Sequence, residues 1–225
     1  MENKLNMKMK KIIILLSAIL AVAPFASAFI PDELTEDLGE TVFSVTDPEY
    51  EWSQTETKQV KVELKSQALL LESKSEKGFA FSVSELPINV EDMPEFIFGF
   101  NLKDLKIDND NKFGMIFDYQ DIRNYKGISI SKKHYEYFIV KDGVYSAIKT
   151  GLVKYKGNDF NLILRRENGG IKFILNGLEV CMLRKITLTS SYFGVFVSGK
   201  AKAKMPDFIM YIPEQEDTEQ STSNT

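Results

Sequence analysis

From residue 59 to residue 212 the chain is a succession of short apolar or alternating runs, most of them closed by Gly, Asn, Asp or Pro. The runs fall at 59–64, 68–73, 79–84 and 96–102, then at 113–119, 127–132, 135–140, 144–149, 161–166, 170–175, 192–197 and 207–212. Runs of that length bounded by turn residues read as strands. Ile128 and Ile130 against Ser129 and Ser131 alternate with the period of two that a half-buried strand requires, as do Phe160, Leu162 and Leu164 against Asn161 and Arg165. Between them stand Asp142-Gly143, Asn168-Gly169 and Asn176-Gly177, dipeptides that tolerate the positive φ of tight hairpins. Only 34–40 reads as a helical turn. About a dozen strands with almost no helix predict an all-β, antiparallel two-sheet sandwich.

The two ends of the chain differ from this middle. Lys4, Lys8, Lys10 and Lys11 precede the uncharged run 12–22, and small residues follow as far as Ala26-Ser27-Ala28. A basic head, a short apolar stretch and an A-x-A site describe a secretory signal peptide over 1–28, cleaved near Ala28. Eleven uncharged residues span about half of the ~20 that a membrane helix needs, so the chain is not expected to span a membrane. The expectation is an exported protein, periplasmic or extracellular, of bacterial origin. At the other end, 214–225 holds four acids, no base and no apolar residue, and is expected to be a disordered acidic tail. One domain, 29–213, remains between them, and the processed chain carries a net charge of −7.

That charge excludes a basic nucleic-acid binder. One Cys and one His exclude a disulfide framework, a zinc finger and most His-based catalytic triads.

The order of the motifs resembles a known family. Phe113-Gly114-Met115-Ile116-Phe117, then Asp121-Ile122-Arg123-Asn124-Tyr125, then Leu175-Asn176-Gly177 follow one another. Tyr192-Phe193-Gly194-Val195-Phe196-Val197 and Pro206-Asp207-Phe208 come after them. This succession is similar to that of the concanavalin A-like lectin/glucanase jelly rolls, especially their bacterial laminin G-like branch. The resemblance covers about 96–211, with Phe43, Trp52 and 69–71 fitting its weaker N-terminal part. It implies two curved sheets packed face to face, with a ligand on the concave face or the rim loops.

The enzymatic members of that superfamily carry E-x-D-x-x-E on one strand, which places the acids on one face as nucleophile and general acid. The motif is absent here; its nearest string, Glu214 to Glu219, lies in the tail. Asp118 and Asp121 could pair in space, although acids at a strand end are more often a solvated rim. Calcium is the one metal to consider, with Asp108 and Asp110 offering hard oxygens at alternate positions. Asp and Asn in a polar turn need no metal to account for them. Cys181 reads as a packing residue in an apolar strand and His134 as a solvent-facing turn residue.

Sugar recognition combines aromatic platforms with carboxylates and amides that bind hydroxyls. Tyr119, Asp121, Arg123, Asn124 and Tyr125 on one loop, with Tyr135 and Tyr137 on the next strand, are the candidates. Tyr135 and Tyr137 are two apart and share a sheet face, a spacing that cross-strand packing also produces. Trp52 is a further platform or a core plug. Lys200, Lys202 and Lys204 alternate, as on a solvated edge strand guarded against strand addition, or as a sulfated-glycan contact. The missing acid motif favours an exported, non-catalytic binding module for a carbohydrate or a cell-envelope protein. A glycoside hydrolase with non-standard acids and a structural envelope protein are the alternatives.

Overall fold

The structure is a computed structural model and describes residues 41–107 and 111–212. The expected signal peptide, the helical turn at 34–40, the pair Asp108 and Asp110, and the acidic tail lie outside the described residues.

The described residues form sixteen strands, numbered in chain order, and no helix. Every strand pair is antiparallel. Six strands make one sheet, in the order β10 (Val144–Leu152), β9 (His134–Lys141), β8 (Asn124–Ile130), β7 (Lys112–Asp121), β14 (Tyr192–Ser198) and β5 (Phe79–Glu85). The other sheet runs β13 (Leu178–Leu183), β12 (Gly170–Leu175), β11 (Phe160–Glu167), β6 (Phe96–Ile107), β15 (Ala201–Met205), β4 (Ala68–Ser73), β3 (Val60–Lys65) and β2 (Thr55–Glu56). Two further strands complete its ten: β16 (Asp207–Tyr211) also lies beside β6, and β1 (Thr41–Ser44) lies beside β16. The twelve residues of β6 are shared on one side between β16, opposite Ile97–Phe100, and β15, opposite Lys103–Ile107. Pro206 separates the two; lacking an N–H, it cannot continue the ladder.

The three expected hairpin dipeptides behave as their residue types dictate. Asp142-Gly143, Asn168-Gly169 and Asn176-Gly177 all have positive φ at both positions, as type I′ turns require. The inner faces of the sheets meet in a core rich in phenylalanine. Phe98, Phe100, Phe113, Phe117, Phe173, Phe193 and Phe208 are fully buried. Each such ring contributes roughly 1.5–3 kcal/mol of apolar burial. Trp52 is a core plug, 4% exposed and edge-on to Phe208 at 5.4 Å. Cys181 is buried and His134 is exposed, as expected, the latter as the first residue of β9 rather than in a turn.

One expectation needs correction. Lys200, Lys202 and Lys204 do not mark an edge. β15 lies between β4 and β6, and its alternation is that of an interior strand with Ala201, Ala203 and Met205 buried. The lysines face outward, where Lys200 meets Glu76 at 3.0 Å, Lys202 meets Glu72 at 3.8 Å and Lys204 meets Asp104.

Candidate functional site

The polar residues expected on the β7–β8 loop are brought together, and their hydrogen bonds run to the neighbouring turn. Asp121 accepts from the Arg123 N–H at 2.6 Å and from the Asn124 amide at 3.0 and 3.1 Å. The Asn124 bonds, followed by that of the Arg123 N–H, hold the Asp121 carboxyl below the usual carboxylate range. The Asn124 Oδ1 in turn accepts the Asp142 N–H at 3.0 Å, while Arg123 donates to the Asp142 carbonyl at 2.9 Å. Together these residues clasp the β7–β8 turn to the β9–β10 turn.

The four tyrosines divide between the two faces of the sheet. Tyr135 and Tyr137 do share a face, and it is the inner one. They are 8% and 5% exposed, and Tyr137 stacks on Phe117 at 6.3 Å. Burial, chiefly, pushes the Tyr137 hydroxyl up to about 12. Tyr119 and Tyr125 lie on the outer face, 6.1 Å apart, and pack against Phe81 and Phe138. So Tyr119 and Tyr125 meet one surface, and Tyr135 and Tyr137 belong to the core.

That outer face is itself aromatic. Phe79, Phe81, Phe138 and Phe196 join Val83, Ile116 and Val140 in a cluster separate from the main core. Glycine makes room for the rings. A Cβ on Gly127 would meet the Phe138 ring at 2.4 Å, and one on Gly114 would meet the Phe196 ring at 2.8 Å. With no side chain beneath, both rings lie across the sheet. Above them opens a cavity of about 320 Å³, reached by Phe138, Phe196, Tyr125 and Tyr145. That volume is at the lower end of what small-ligand sites occupy.

Polar groups stand at its edge: Lys112 and Tyr145 line it, and Glu136 behind them holds both. Glu136 accepts from the Lys112 ammonium at 3.1 Å and from the Tyr145 hydroxyl. Tyr145 also stacks on Phe138 at 5.0 Å and is half exposed. Burial raises the Glu136 carboxyl, but hydrogen bonds from Tyr145 and Lys112 outweigh it and leave the group below its ordinary range. Burial and the bond to Glu136 push the Tyr145 hydroxyl well above its ordinary range. Lys112, Glu136, Phe138, Tyr145 and Phe196 were not among the residues expected from sequence. Their signal was parity: Glu136 and Phe138 alternate with the two tyrosines and so occupy the opposite face.

Asp118 and Asp121 do not form an acid pair. Asp118 sits at a bulge with a φ of 51°, is 5% exposed, and is satisfied by the chain itself. It accepts from the N–H groups of Thr189 and Ser190 at 2.6 and 2.8 Å and from the Lys126 ammonium. Among the described residues no group of three His, Cys, Asp or Glu could hold a metal ion, and Asp108 and Asp110 lie outside them.

No family profile and no curated protein matches the sequence. Solved structures do match the fold. The carbohydrate binding module CBM66 from Bacillus subtilis superposes with a TM-score of 0.56 at 14% identity, over 71% of this chain and 94% of that one. A Bacillus subtilis protein of unknown function with a galectin-like fold gives 0.53 at 13% identity, over 76% and 94%. The exoplasmic/lumenal domain of VIP36, in a form bound to Ca²⁺ and Man3GlcNAc, gives 0.53 at 10% identity, over 77% and 90%. At these identities the likeness concerns architecture, and in architecture the chain is a concanavalin A-like, galectin-like jelly-roll sandwich of two antiparallel sheets.

Proposed function

We propose that the protein is an exported, non-catalytic carbohydrate-binding module whose ligand sits on the outer face of the six-stranded sheet, over Phe138 and Phe196. The observation that carries this reading is the composition of the 320 Å³ cavity: an aromatic floor with an ionic, hydrogen-bonding edge. A sugar ring offers an apolar C–H face and a rim of hydroxyls, and such a site matches both. Lys112 supplies donors and the Tyr145 hydroxyl oxygen an acceptor, both held in place by Glu136 behind them before a ligand arrives, which lowers the ordering cost of binding. Similar folds that carry carbohydrate ligands or names support the substrate class.

The acids support binding over hydrolysis. Bonds from Tyr145 and Lys112 hold the Glu136 carboxyl below its ordinary range, the opposite of the raised carboxyl that a general acid uses. Asp118 is occupied by two backbone N–H groups and Lys126.

The test is a glycan array on the processed chain, followed by calorimetry on the best ligand. Tyr145→Ala and Glu136→Ala are expected to abolish binding, while Tyr135→Phe in the core leaves it intact. Binding indifferent to both substitutions, or an array without a hit, overturns the assignment. Release of reducing sugar from the bound glycan replaces the module with a hydrolase.

A further inference from the structure

We propose that the side of the sandwich formed by the β10 and β13 edges is a peripheral docking surface for an anionic phospholipid membrane. It is distinct from the sugar site, and it rests on three observations made on the same two edge strands.

The first is exposed apolar surface. Seven large hydrophobic side chains stand exposed among the described residues, and, leaving aside Tyr145 of the sugar site, four of them lie on these two strands. Val144 is 65% exposed, Ile148 56%, Leu152 76% and, on β13, Leu178 65%. Isolated exposed apolar residues need no explanation, but a concentration on one side marks an interaction surface.

The second is that both strands end their sheets. β10 pairs only with β9, and β13 only with β12. The two edges are tied across the sandwich where the Lys149 ammonium donates to the Met182 carbonyl at 2.8 Å.

The third is charge. Between the edges lies a cleft of about 660 Å³ lined by Lys149, Arg184 and Lys185, with no acid in its wall. The chain segments that carry the two edges, 132–156 and 178–185, hold eight cations and three acids, in a chain whose net charge is −4.

Apolar tips set among cations are what an anionic lipid surface selects: the apolar groups enter the acyl boundary and the ammonium and guanidinium groups meet headgroup phosphates. A soluble polyanion would satisfy the cations and leave four aliphatic side chains in water. A second copy would set one basic band against another.

The experiment is co-sedimentation of the protein, as recovered from its exporting host, with phosphatidylcholine vesicles lacking or containing phosphatidylglycerol. Binding is expected only with phosphatidylglycerol and should weaken as salt is raised. Removing Lys149, Arg184 and Lys185 by Gln substitution should lower partition about fivefold for each cation. Leu152→Ser with Leu178→Ser should lower it as well, with circular dichroism unchanged. Equal binding to both vesicle types, or binding that survives both sets of substitutions, overturns the proposal. So does capture by dextran sulfate that ignores the two Ser substitutions, or a dimer in light scattering that Ile148→Asp dissociates.

Discussion

Replacing Asp118 by Ala should be among the most destabilising single changes outside the phenylalanine core. The carboxylate sits at the β7 bulge and accepts the N–H groups of both Thr189 and Ser190, 71 and 72 residues away in sequence. Its loss leaves two backbone N–H groups without their acceptor, at about 1–3 kcal/mol for each that stays dry. It also leaves Lys126 without its anion. That ammonium is 20% exposed and keeps the Thr187 carbonyl at 2.7 Å, so its share is reduced by solvent and by the remaining bond. Together these give about 3–5 kcal/mol for Asp118→Ala, the range seen when one partner of a buried pair is removed. Asp118→Asn keeps an oxygen for the N–H donors and should cost about 1–2 kcal/mol. Urea unfolding followed by fluorescence measures both, because the chain's one tryptophan, Trp52, is buried in the core. An Asp118→Ala variant within about 1 kcal/mol of the parent would refute the clasp. An Asn variant as unstable as the Ala variant would show that charge, and not the N–H acceptor, holds the loop.

Other outcomes follow from single contacts. Gly114→Ala sets a Cβ 1.9 Å from the Ile128 carbonyl oxygen, a conflict between two strands that no rotamer relieves, so a loss of about 2–3 kcal/mol is expected in the same unfolding assay. Gly127→Ala meets the Phe138 ring first, and calorimetry should show glycan affinity falling more steeply than stability. Glu136 has a depressed folded value, so its contribution is present above its unfolded value and lost as pH falls through the folded one. Urea midpoints taken on the acid side should therefore fall less steeply with pH in Glu136→Gln than in the parent. Cys181 is 3% exposed and burial pushes its thiol up, so a thiol reagent should react with it only at the rate of unfolding.

Much of the fold was legible because strand formation leaves local marks. Runs 68–73 and 170–175 match β4 and β12 to the residue, and the hairpin dipeptides adopt the dihedrals their chemistry favours. Pairing beyond the hairpin was not legible. The alternating lysines of β15 look the same on an edge as in the interior, and only partners distant in sequence, β4 and β6, distinguish the two.

The candidate site shows the same division. Sequence alone determined that the chain builds an antiparallel sandwich, that Tyr135 and Tyr137 share a face, and that Asp121, Arg123 and Asn124 gather at one turn. Period-two alternation says which residues travel together and leaves open which face points inward when both faces carry aromatic side chains. Tertiary structure decided that point. The inner face of the six-stranded sheet claimed the two tyrosines, and its outer face received Glu136 and Phe138. It also joined the Asp121 cluster to a second turn through the Asp142 N–H, and joined Asp118 to Thr189 and Ser190. Those partners lie 18 and 71 or 72 residues apart, and contacts at such separations exist only once the sheets have paired and packed.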